Sequence, residues 1–191
     1  MTFILDLDRW LLLLINGAHN FFLDNVMYYF SEKWLWIPLY LFFIYLSIRL
    51  YGKKGIWVIV IIAAATGLSD WVSVNLFKNT FMRLRPCHSP DLEGLLHLVR
   101  DKCGGEFGFY SSHASNHTVL AWLFGYFFRS RIGKTGIALL ILWALVISYS
   151  RIYLGVHYPT DVLAGIGAGS LIALAAIYIA RKSGITKPGG V

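Results

Sequence analysis

The sequence predicts an all-α membrane protein, a bundle of about six transmembrane helices formed by a single domain over residues 1–191. Three observations lead to this fold class. Apolar residues make up 57% of the chain and charged residues only 14%, whereas a soluble domain carries roughly 25% charged residues. The mean hydropathy is +0.61, and long apolar stretches recur along the sequence. This composition excludes an intrinsically disordered chain, a collagen-like chain and a disulfide-rich secreted scaffold.

Five stretches of the sequence approach the about 20 mostly apolar residues that a membrane-spanning helix needs. They cover residues 34–50, 55–77, 114–128, 135–150 and 162–180. Polar residues interrupt the N-terminal segment 9–30, which we expect to form a sixth span. The alternative is five spans with an in-plane helix followed by a short re-entrant piece. The start of the chain is acidic and lacks a small-residue cleavage site, so no cleavable signal peptide is predicted.

The net charge is +7, from 17 Lys and Arg against 10 Asp and Glu. In a soluble protein this excess would indicate nucleic-acid binding, but its distribution predicts membrane orientation instead, and no nucleic-acid partner. Three connections, which alternate spans place on one face, contain nine basic residues and no acidic one: Arg49, Lys53, Lys54, Arg129, Arg131, Lys134, Arg181, Lys182 and Lys187. By the positive-inside rule this face, with the C-terminus, is cytoplasmic. The loop segment 78–112 and the turn 151–159 then lie on the opposite face.

Three clusters of polar residues lie in these two outer segments and at the adjoining ends of the spans. They contain, in order, Lys78, Arg85 and Pro86; Ser111, Ser112 and His113; and Ser150, Arg151, His157 and Asp161. An unpaired cation at a lipid boundary costs several kcal/mol, on the order of 3 for a lysine or arginine, so the three cations of this set predict a multiply charged anionic ligand. Arginine side chains and the N–H groups at a helix start suit phosphate. The set therefore predicts a phosphate-binding site.

The third cluster also contains a candidate nucleophile. His157 and Asp161 are four residues apart, and Pro159 between them suits the first turn of a helix. Asp161 can accept a hydrogen bond from one ring nitrogen of His157, which leaves the other nitrogen free to attack. His113 can protonate the leaving oxygen, and the cations can stabilise a phosphoryl transition state. This chemistry requires no metal ion and no cofactor.

The clusters resemble the motifs K-x6-R-P, P-S-G-H and S-R-x5-H-x3-D of the type 2 phosphatidic acid phosphatase superfamily, whose site architecture is shared with vanadium haloperoxidases. The first and third motifs match at every defined position, whereas Tyr110 replaces Pro and Ser112 replaces Gly in the second. Ser112 keeps the backbone donor if its φ suits a residue with a Cβ.

This resemblance implies a membrane lipid phosphatase that works through a phospho-histidine. It implies that His157 is the nucleophile, Asp161 its partner and His113 the acid. The residues implied to bind the phosphate are Lys78, Arg85, Ser111, Ser112 and Arg151.

The predicted substrate is a lipid phosphate, because a site at the membrane boundary can take a headgroup while the lipid tail stays in hydrocarbon. Within this class we favour hydrolysis of undecaprenyl diphosphate to undecaprenyl phosphate at the outer face of a bacterial inner membrane. Phosphatidylglycerophosphate, phosphatidic acid and lipid A are the alternative substrates. The interpretation from another class is a non-enzymatic anion-binding transporter or subunit. Inverted repeats with broken spans would indicate a transporter, and the sequence shows none.

Three further features give predictions outside the motifs. Cys87 and Cys103, both in the outer segment where oxidation is permitted, predict a disulfide, with two free thiols as the alternative. Arg83, which is not a defined motif position, is expected to be an interfacial anchor or a lipid-headgroup contact. Gly165 and Gly169 form a G-x-x-x-G pair that predicts close helix packing, either within the chain or in a homo-oligomer.

Overall fold

The structure, a computed structural model, describes residues 2–185. Its seven α-helices are α1 (Thr2–Gly17), α2 (Phe21–Ser31), α3 (Ile37–Tyr51), α4 (Gly55–Val72), α5 (Asn79–Phe81), α6 (Ser112–Tyr153) and α7 (Pro159–Lys182). A π-helix, Ser73–Lys78, joins α4 to α5. Within the described part of the chain, β-type pairing is limited to an isolated bridge between Leu84 and Phe107. The all-α fold class is confirmed, whereas Lys187 and the C-terminus lie outside the described residues.

The longest helix folds back on itself. Gly133 interrupts α6 with a non-helical φ of 62°. The ring of His117, before this break, packs against the ring of Trp143, after it, with 5.0 Å between their centroids. A straight helix would separate these two residues by about 39 Å. The two halves of α6 are therefore antiparallel neighbours, and they correspond to two of the apolar stretches in the sequence.

The third and fourth helices form a second antiparallel pair. They are joined by the short turn Gly52–Lys54, in which Gly52 has a φ of 55°. A Cβ on Gly55, at the start of α4, would lie 2.2 Å from the carbonyl oxygen of Ser47 in α3. Only glycine permits this approach of the two backbones.

Three helical stretches are long and apolar enough to cross a membrane: Lys33–Phe81, Ser112–Tyr153 and Pro159–Lys182. The first two contain the reversals just described. The N-terminal segment 9–30 is divided between α1, of 16 residues, and α2, of 11 residues. Both are shorter than the about 20 residues of a span. The number of spans therefore stays a prediction.

The turn after α3, the break in α6 and the end of α7 meet at one end of the bundle. The hydroxyl of Tyr51, at the end of α3, donates to the carbonyl oxygen of Phe127. The guanidinium groups of Arg129 and Arg181 both lie over the ring of Tyr126. We call this the basic end, defined by Arg49, Lys53, Lys54, Arg129, Arg131, Lys134, Arg181 and Lys182.

Helix α7 packs against the first turns of α6 through two glycines. A Cβ on Gly165 would lie 2.6 Å from the carbonyl oxygen of Ser111, and one on Gly169 would lie 2.4 Å from that of Ser115. The close packing predicted for this glycine pair is therefore internal, and the glycine face is not free for a second copy of the chain. This contact fixes α7 against the part of α6 that carries the second polar cluster.

The loop between α5 and α6 covers the other end of the bundle, which we call the loop end. A disulfide joins Cys87 and Cys103, whose Cα atoms are 5.9 Å apart. Three contacts attach the loop to α1: Arg9 pairs with Asp91, Asp8 pairs with Arg83, and the buried amide of Asn16 binds backbone groups of the loop. The loop is thus closed by a covalent bond and held against the N-terminal helix.

Candidate active site

The three polar clusters meet at the loop end. Lys78 ends the π-helix, Ser111 caps α6, Arg151 lies in the last turn of α6, and His157 lies two residues before the start of α7. The two ends of α6 reach the same place because the helix reverses at Gly133. All eight residues implied to act in the site belong to this one region.

Lys78 is held by a chain of hydroxyl groups. Its Nζ donates to Ser112 Oγ at 2.8 Å, and Ser112 Oγ lies 2.8 Å from Ser73 Oγ. Ser73 in turn donates to the carbonyl oxygen of Tyr110 at 3.0 Å. The lysine is thereby directed at the first turn of α6, where backbone N–H groups point outward. Ser73 was missed in the sequence, although with Ser69 it forms an i, i+4 polar pair in a mostly apolar helical stretch.

The two departures from the second motif are accommodated by the structure. Among the described residues, positive φ values outside glycine occur only at Met82, Arg100 and Asp101, so Ser112 has a backbone conformation that suits a residue with a Cβ. Tyr110 is 1% exposed and packs on Phe77 with 4.9 Å between the ring centroids. The tyrosine therefore fills space beneath the helix that carries Lys78.

Arg85 is held in the loop by backbone groups alone. Its Nε donates to the carbonyl oxygen of Phe107 at 3.3 Å and its Nη1 to that of Cys103 at 3.1 Å. Gly108 allows this position, because a Cβ there would lie 3.1 Å from Arg85 Cγ and 3.3 Å from Asp161 Oδ2. Neither contact neutralises the guanidinium, so its charge remains available to an anion.

Arg151 reaches the N-terminal helices. Its Nη1 donates to the hydroxyl of Ser31, the last residue of α2, while its buried Nε has no hydrogen-bond partner. The backbone oxygen of Arg151 accepts from the N–H groups of Val156 and His157, both at 3.2 Å. The arginine therefore fixes the turn that carries the predicted nucleophile. Ser31 is a site residue that no motif of the sequence indicates.

His157 and Asp161 face each other inside the protein. The ring Nδ1 of His157 lies 3.5 Å from Asp161 Oδ2, and the two side chains are 2% and 0% exposed. The same carboxylate oxygen accepts from the backbone N–H of Tyr158 at 3.0 Å. Burial, and then the nearby cations Arg85, Arg151 and Lys78, hold the pKa of His157 well below its usual value. The imidazole is therefore neutral at neutral pH, as a nucleophile must be.

Arg83 binds the partner of this histidine, and its predicted role as an interfacial anchor or headgroup contact is wrong. Its Nη1 lies 2.7 Å from Asp161 Oδ1 and its Nη2 lies 2.5 Å from Asp8 Oδ2. Asp8, in α1, is 1% exposed and also accepts from the backbone N–H of Thr160 at 2.9 Å. The guanidinium also packs on the ring of Tyr158. A buried carboxylate needs such a partner, so the arginine is turned inward rather than towards lipid.

A cavity of about 830 Å³ opens beside these groups. Arg85, His113 and Arg151 line one part of it. The remainder lies between α2, the start of α3 and the disulfide loop, and its polar and aromatic lining residues are Tyr28, Ser31, Glu32, Lys33, Trp34, Tyr40, Asp101 and Lys102. The cavity lies within the usual range for small-ligand sites, about 300–1,000 Å³. A phosphate bound at the cations would leave the rest of the cavity for the group that carries it.

Residues 54–185 match the family model of the PAP2 superfamily. This match covers more than half of the chain, and the chain therefore belongs to the PAP2 superfamily. The resemblance seen in the three motifs is confirmed, and with it the class of enzyme, a hydrolase of lipid phosphate esters.

Several characterised relatives are similar over most of the chain. It is 33% identical to the lipid A 4'-phosphatase of Porphyromonas gingivalis, covering 90% of this chain and 72% of the relative. The lipid A 4'-phosphatase of Bacteroides thetaiotaomicron is 34% identical, covering 95% and 80%. The undecaprenyl-diphosphatase BcrC of Bacillus subtilis is 30% identical, covering 81% and 70%.

The fold has a close counterpart among solved structures. The crystal structure of LpxE from Aquifex aeolicus superposes with a TM-score of 0.66 and 23% sequence identity, covering 90% of this chain and 95% of that one. At this identity the likeness concerns the fold alone. It supports the bundle of helices described above.

Proposed function

We propose that this protein removes a phosphate group from a glycolipid of the lipid A type, through a phospho-histidine intermediate. The observation that carries the substrate class is the cavity of about 830 Å³ that Arg85, His113 and Arg151 line. It contains acidic, basic and aromatic side chains, which are the groups that bind sugar hydroxyls and sugar faces. The lipid A 4'-phosphatases that resemble this chain over at least 90% of its length support the same choice.

The first chemical step forms a bond between His157 and phosphorus. Because Nδ1 of His157 faces Asp161, the attacking atom is Nε2. Its lone pair forms the N–P bond while the bond between phosphorus and the sugar oxygen breaks. His113 gives its proton to that oxygen, so the sugar hydroxyl leaves neutral. Lys78, Arg85 and Arg151, with Ser112 and its first-turn N–H at the start of α6, stabilise the charge on the phosphoryl oxygens. The N–H of the cap residue Ser111 already donates to the carbonyl oxygen of Asp161.

The second step returns the enzyme to its starting state. A water molecule attacks the phospho-histidine, its proton passes to His113, and the N–P bond breaks to release inorganic phosphate. Asp161 stabilises the positive charge that His157 carries while it is phosphorylated. No further reactant is required for the balance of either step.

Undecaprenyl diphosphate, the substrate favoured from the sequence, is the second candidate. The relationship to BcrC of Bacillus subtilis supports it, and the three cations would bind a diphosphate as readily as a monoester. This lipid has no sugar, so it would leave the part of the cavity around Trp34 and Lys102 without a partner. That difference makes the two candidates separable.

We further propose that the loop end faces the periplasm or exterior and that the basic end faces the cytoplasm. The excess of Lys and Arg at the basic end supports this orientation. A Lys53→Cys substitution, in a chain that also carries Cys87→Ser and Cys103→Ser, tests it. A membrane-impermeant maleimide should label this cysteine only after the membrane is opened, and labelling of intact cells would reverse the orientation.

The substrate is tested by phosphate release from the purified protein in detergent. Wild type, His157→Ala and Trp34→Ala are compared on lipid A bisphosphate, undecaprenyl diphosphate and phosphatidylglycerophosphate. We expect wild type to prefer lipid A, His157→Ala to be inactive on every lipid, and Trp34→Ala to lose about tenfold in kcat/KM on lipid A alone. Lys54→Ala, at the basic end, is the matched control and should behave as wild type.

The possible results test the substrate, the nucleophile and the enzymatic activity separately. Preference for undecaprenyl diphosphate, with no effect of Trp34→Ala, would select the second candidate. Equal phosphate release by wild type and His157→Ala would remove the assignment of the nucleophile. No release from any lipid by a correctly folded protein would favour the non-enzymatic transporter or subunit.

A further inference from the structure

Two histidines and a carboxylate form a cluster at the surface of the loop end, outside the active site. His19 lies in the turn between α1 and α2, Asp24 in the first turn of α2, and His97 in the loop between α5 and α6. Their ligand-type atoms all lie within 4.8 Å of one another. His97 Nε2 is 2.9 Å from Asp24 Oδ2, and the rings of His19 and His97 are stacked with 3.8 Å between centroids.

Buried groups behind the cluster hold two of its members in place. The amide of Asn16, which is 1% exposed, donates to the carbonyl oxygen of His97 at 2.8 Å and accepts from its N–H at 2.9 Å. The hydroxyl of Tyr153 donates to the second oxygen of Asp24 at 2.7 Å. The backbone of one ligand and the carboxylate of another are therefore oriented from behind. Such outer-shell hydrogen bonds are what metal ligands in proteins normally have.

The donor set indicates the kind of ion. Two imidazoles and one carboxylate suit a borderline divalent transition metal such as Zn²⁺, whose tetrahedral coordination water would complete at the fourth position. Zn²⁺ bonds to nitrogen and oxygen are about 2.0–2.2 Å long, so the three donors need to close by a small rotation of their side chains. His19 is exposed, and its rotation would have to replace its stacking on the ring of His97. Mg²⁺ and Ca²⁺ prefer oxygen ligands and do not fit the set.

We propose that His19, Asp24 and His97 bind a Zn²⁺ ion that fastens the N-terminal helices to the disulfide loop. The ion takes no part in phosphate hydrolysis. Its effect is mechanical, because α2 carries Ser31, which holds Arg151, and because α2 and the loop form opposite walls of the cavity. Binding of the ion joins those two walls at their outer edge.

The proposal is tested on the full-length protein in detergent after treatment with a chelator. Zn²⁺ and, separately, Mg²⁺ are added back, the excess is removed, and bound metal is measured together with the melting temperature. We expect one Zn²⁺ per chain, no retained Mg²⁺, and a higher melting temperature with Zn²⁺. His19→Ala should weaken Zn²⁺ binding by more than about 100-fold, the upper limit typical of outer-shell changes, and Tyr153→Phe by about 10-fold.

Two controls distinguish a variant that is unfolded from one that has only lost a metal-binding side chain. His88→Ala removes an exposed histidine of the same loop and should retain the metal. His19→Ala removes a ligand whose side chain is exposed, so its melting temperature without metal should equal that of wild type. Zinc bound equally by wild type and His19→Ala, or absent from wild type, would overturn the proposal.

Discussion

The two ends of the helix bundle use their charges in opposite ways. At the loop end, acidic and basic side chains form six close pairs among the described residues, and some of them join segments more than 70 residues apart. At the basic end, none of the eight Lys and Arg side chains that the structure describes pairs with a carboxylate. Their recorded contacts are with the rings of Tyr126 and Tyr178.

The loop end itself contains two kinds of cation. Arg83 lies between two buried carboxylates, so its charge is already compensated. Lys78, Arg85 and Arg151 are held by hydroxyl and carbonyl groups that leave their charge uncompensated. A cation placed firmly but without a counter-ion is prepared for an anionic ligand. The two ends therefore differ in how their cations are positioned. The basic end has the larger excess of positive charge, but fewer contacts hold its side chains in place.

The largest expected effect comes from replacing one arginine of α6 at each end of the bundle, Arg151 at the loop end and Arg129 at the basic end. Arg151→Gln should lower kcat/KM for phosphate release by about 10³-fold, because an arginine that stabilises a phosphoryl transition state is worth about 10³ to 10⁵ in rate. Arg129→Gln, in the same helix at the basic end, should leave the rate unchanged. Steady-state kinetics on the preferred lipid measure both. Comparable losses in the two variants would show that bulk charge, rather than position, determines activity.

A smaller effect is expected from the carboxylate that holds Arg83. Asp8→Asn keeps the side-chain volume but weakens the ion pair, so Arg83 and then Asp161 lose part of their fixed orientation. We expect kcat to fall roughly tenfold with KM unchanged, since misplacement of a reacting group by about 1 Å costs up to about 100-fold. Asp6→Asn, at an exposed position of the same helix, is the matched control.

Two measurements on Asp8→Asn distinguish a loss of side-chain positioning from a loss of overall stability. Its melting temperature is measured together with its kinetics, and Asp8→Glu should restore part of kcat. A wild-type kcat in Asp8→Asn, or a loss of activity explained fully by unfolding, would contradict the positioning role of the Asp8–Arg83 pair.

The disulfide of the loop end is expected to affect stability more than chemistry. It closes a loop with a sequence separation of 16 residues, and a loop of that size corresponds to about 3 kcal/mol in the free energy of unfolding. The double variant Cys87→Ser, Cys103→Ser should therefore melt at a lower temperature than wild type while it retains its activity at low temperature. Reductant should lower the melting temperature of wild type and not that of the variant; an equal response would exclude a structural bond.

The smallest effect is expected from mild acid. Because the pKa of His157 lies well below its usual value near 6.5, the neutral nucleophile persists as the pH falls from 7.5 to 6.5. We expect no fall in kcat/KM over this range, because His157 stays neutral and protonation of the acid His113 can only favour the reaction as the pH drops. Comparison of kcat/KM with kcat separates the free enzyme from the enzyme–lipid complex. A tenfold fall in both between pH 7.5 and 6.5 would mean that His157 is protonated there.

Much of the fold followed from the sequence because it depends on local patterns. Apolar length located the helices, and the packing glycines Gly165 and Gly169 could be recognised by their spacing. The reversals at Gly52 and Gly133 also lie where basic, polar residues separate apolar stretches. The split of segment 9–30 into two short helices was harder to predict, since its polar residues fit a broken span as well as a turn.

The site was predictable where its residues belong to motifs and unpredictable where they belong to long-range pairs. The eight motif residues were named from their residue types and from the resemblance of the three motifs to those of the superfamily. Asp8 lies 75 residues from Arg83, and Ser31 lies 120 residues from Arg151. Nothing in the local sequence identifies such partners, because their role depends on how the N-terminal helices pack. Ser73 is an intermediate case. Its spacing from Ser69 can be recognised in the sequence, but its hydrogen-bond partners, Tyr110 and Ser112, cannot.

The three residues of the Asp8–Arg83–Asp161 cluster are synthesised in that order, because a chain is made from its N-terminus. Asp8 is synthesised 75 residues before Arg83, whereas Asp161 follows it by 78 residues. A growing chain can therefore neutralise this arginine early, before the nucleophile His157 and its carboxylate partner exist. Helix α7 can then meet an arginine that α1 already holds in place, and the reaction centre is completed only once α7 has been made.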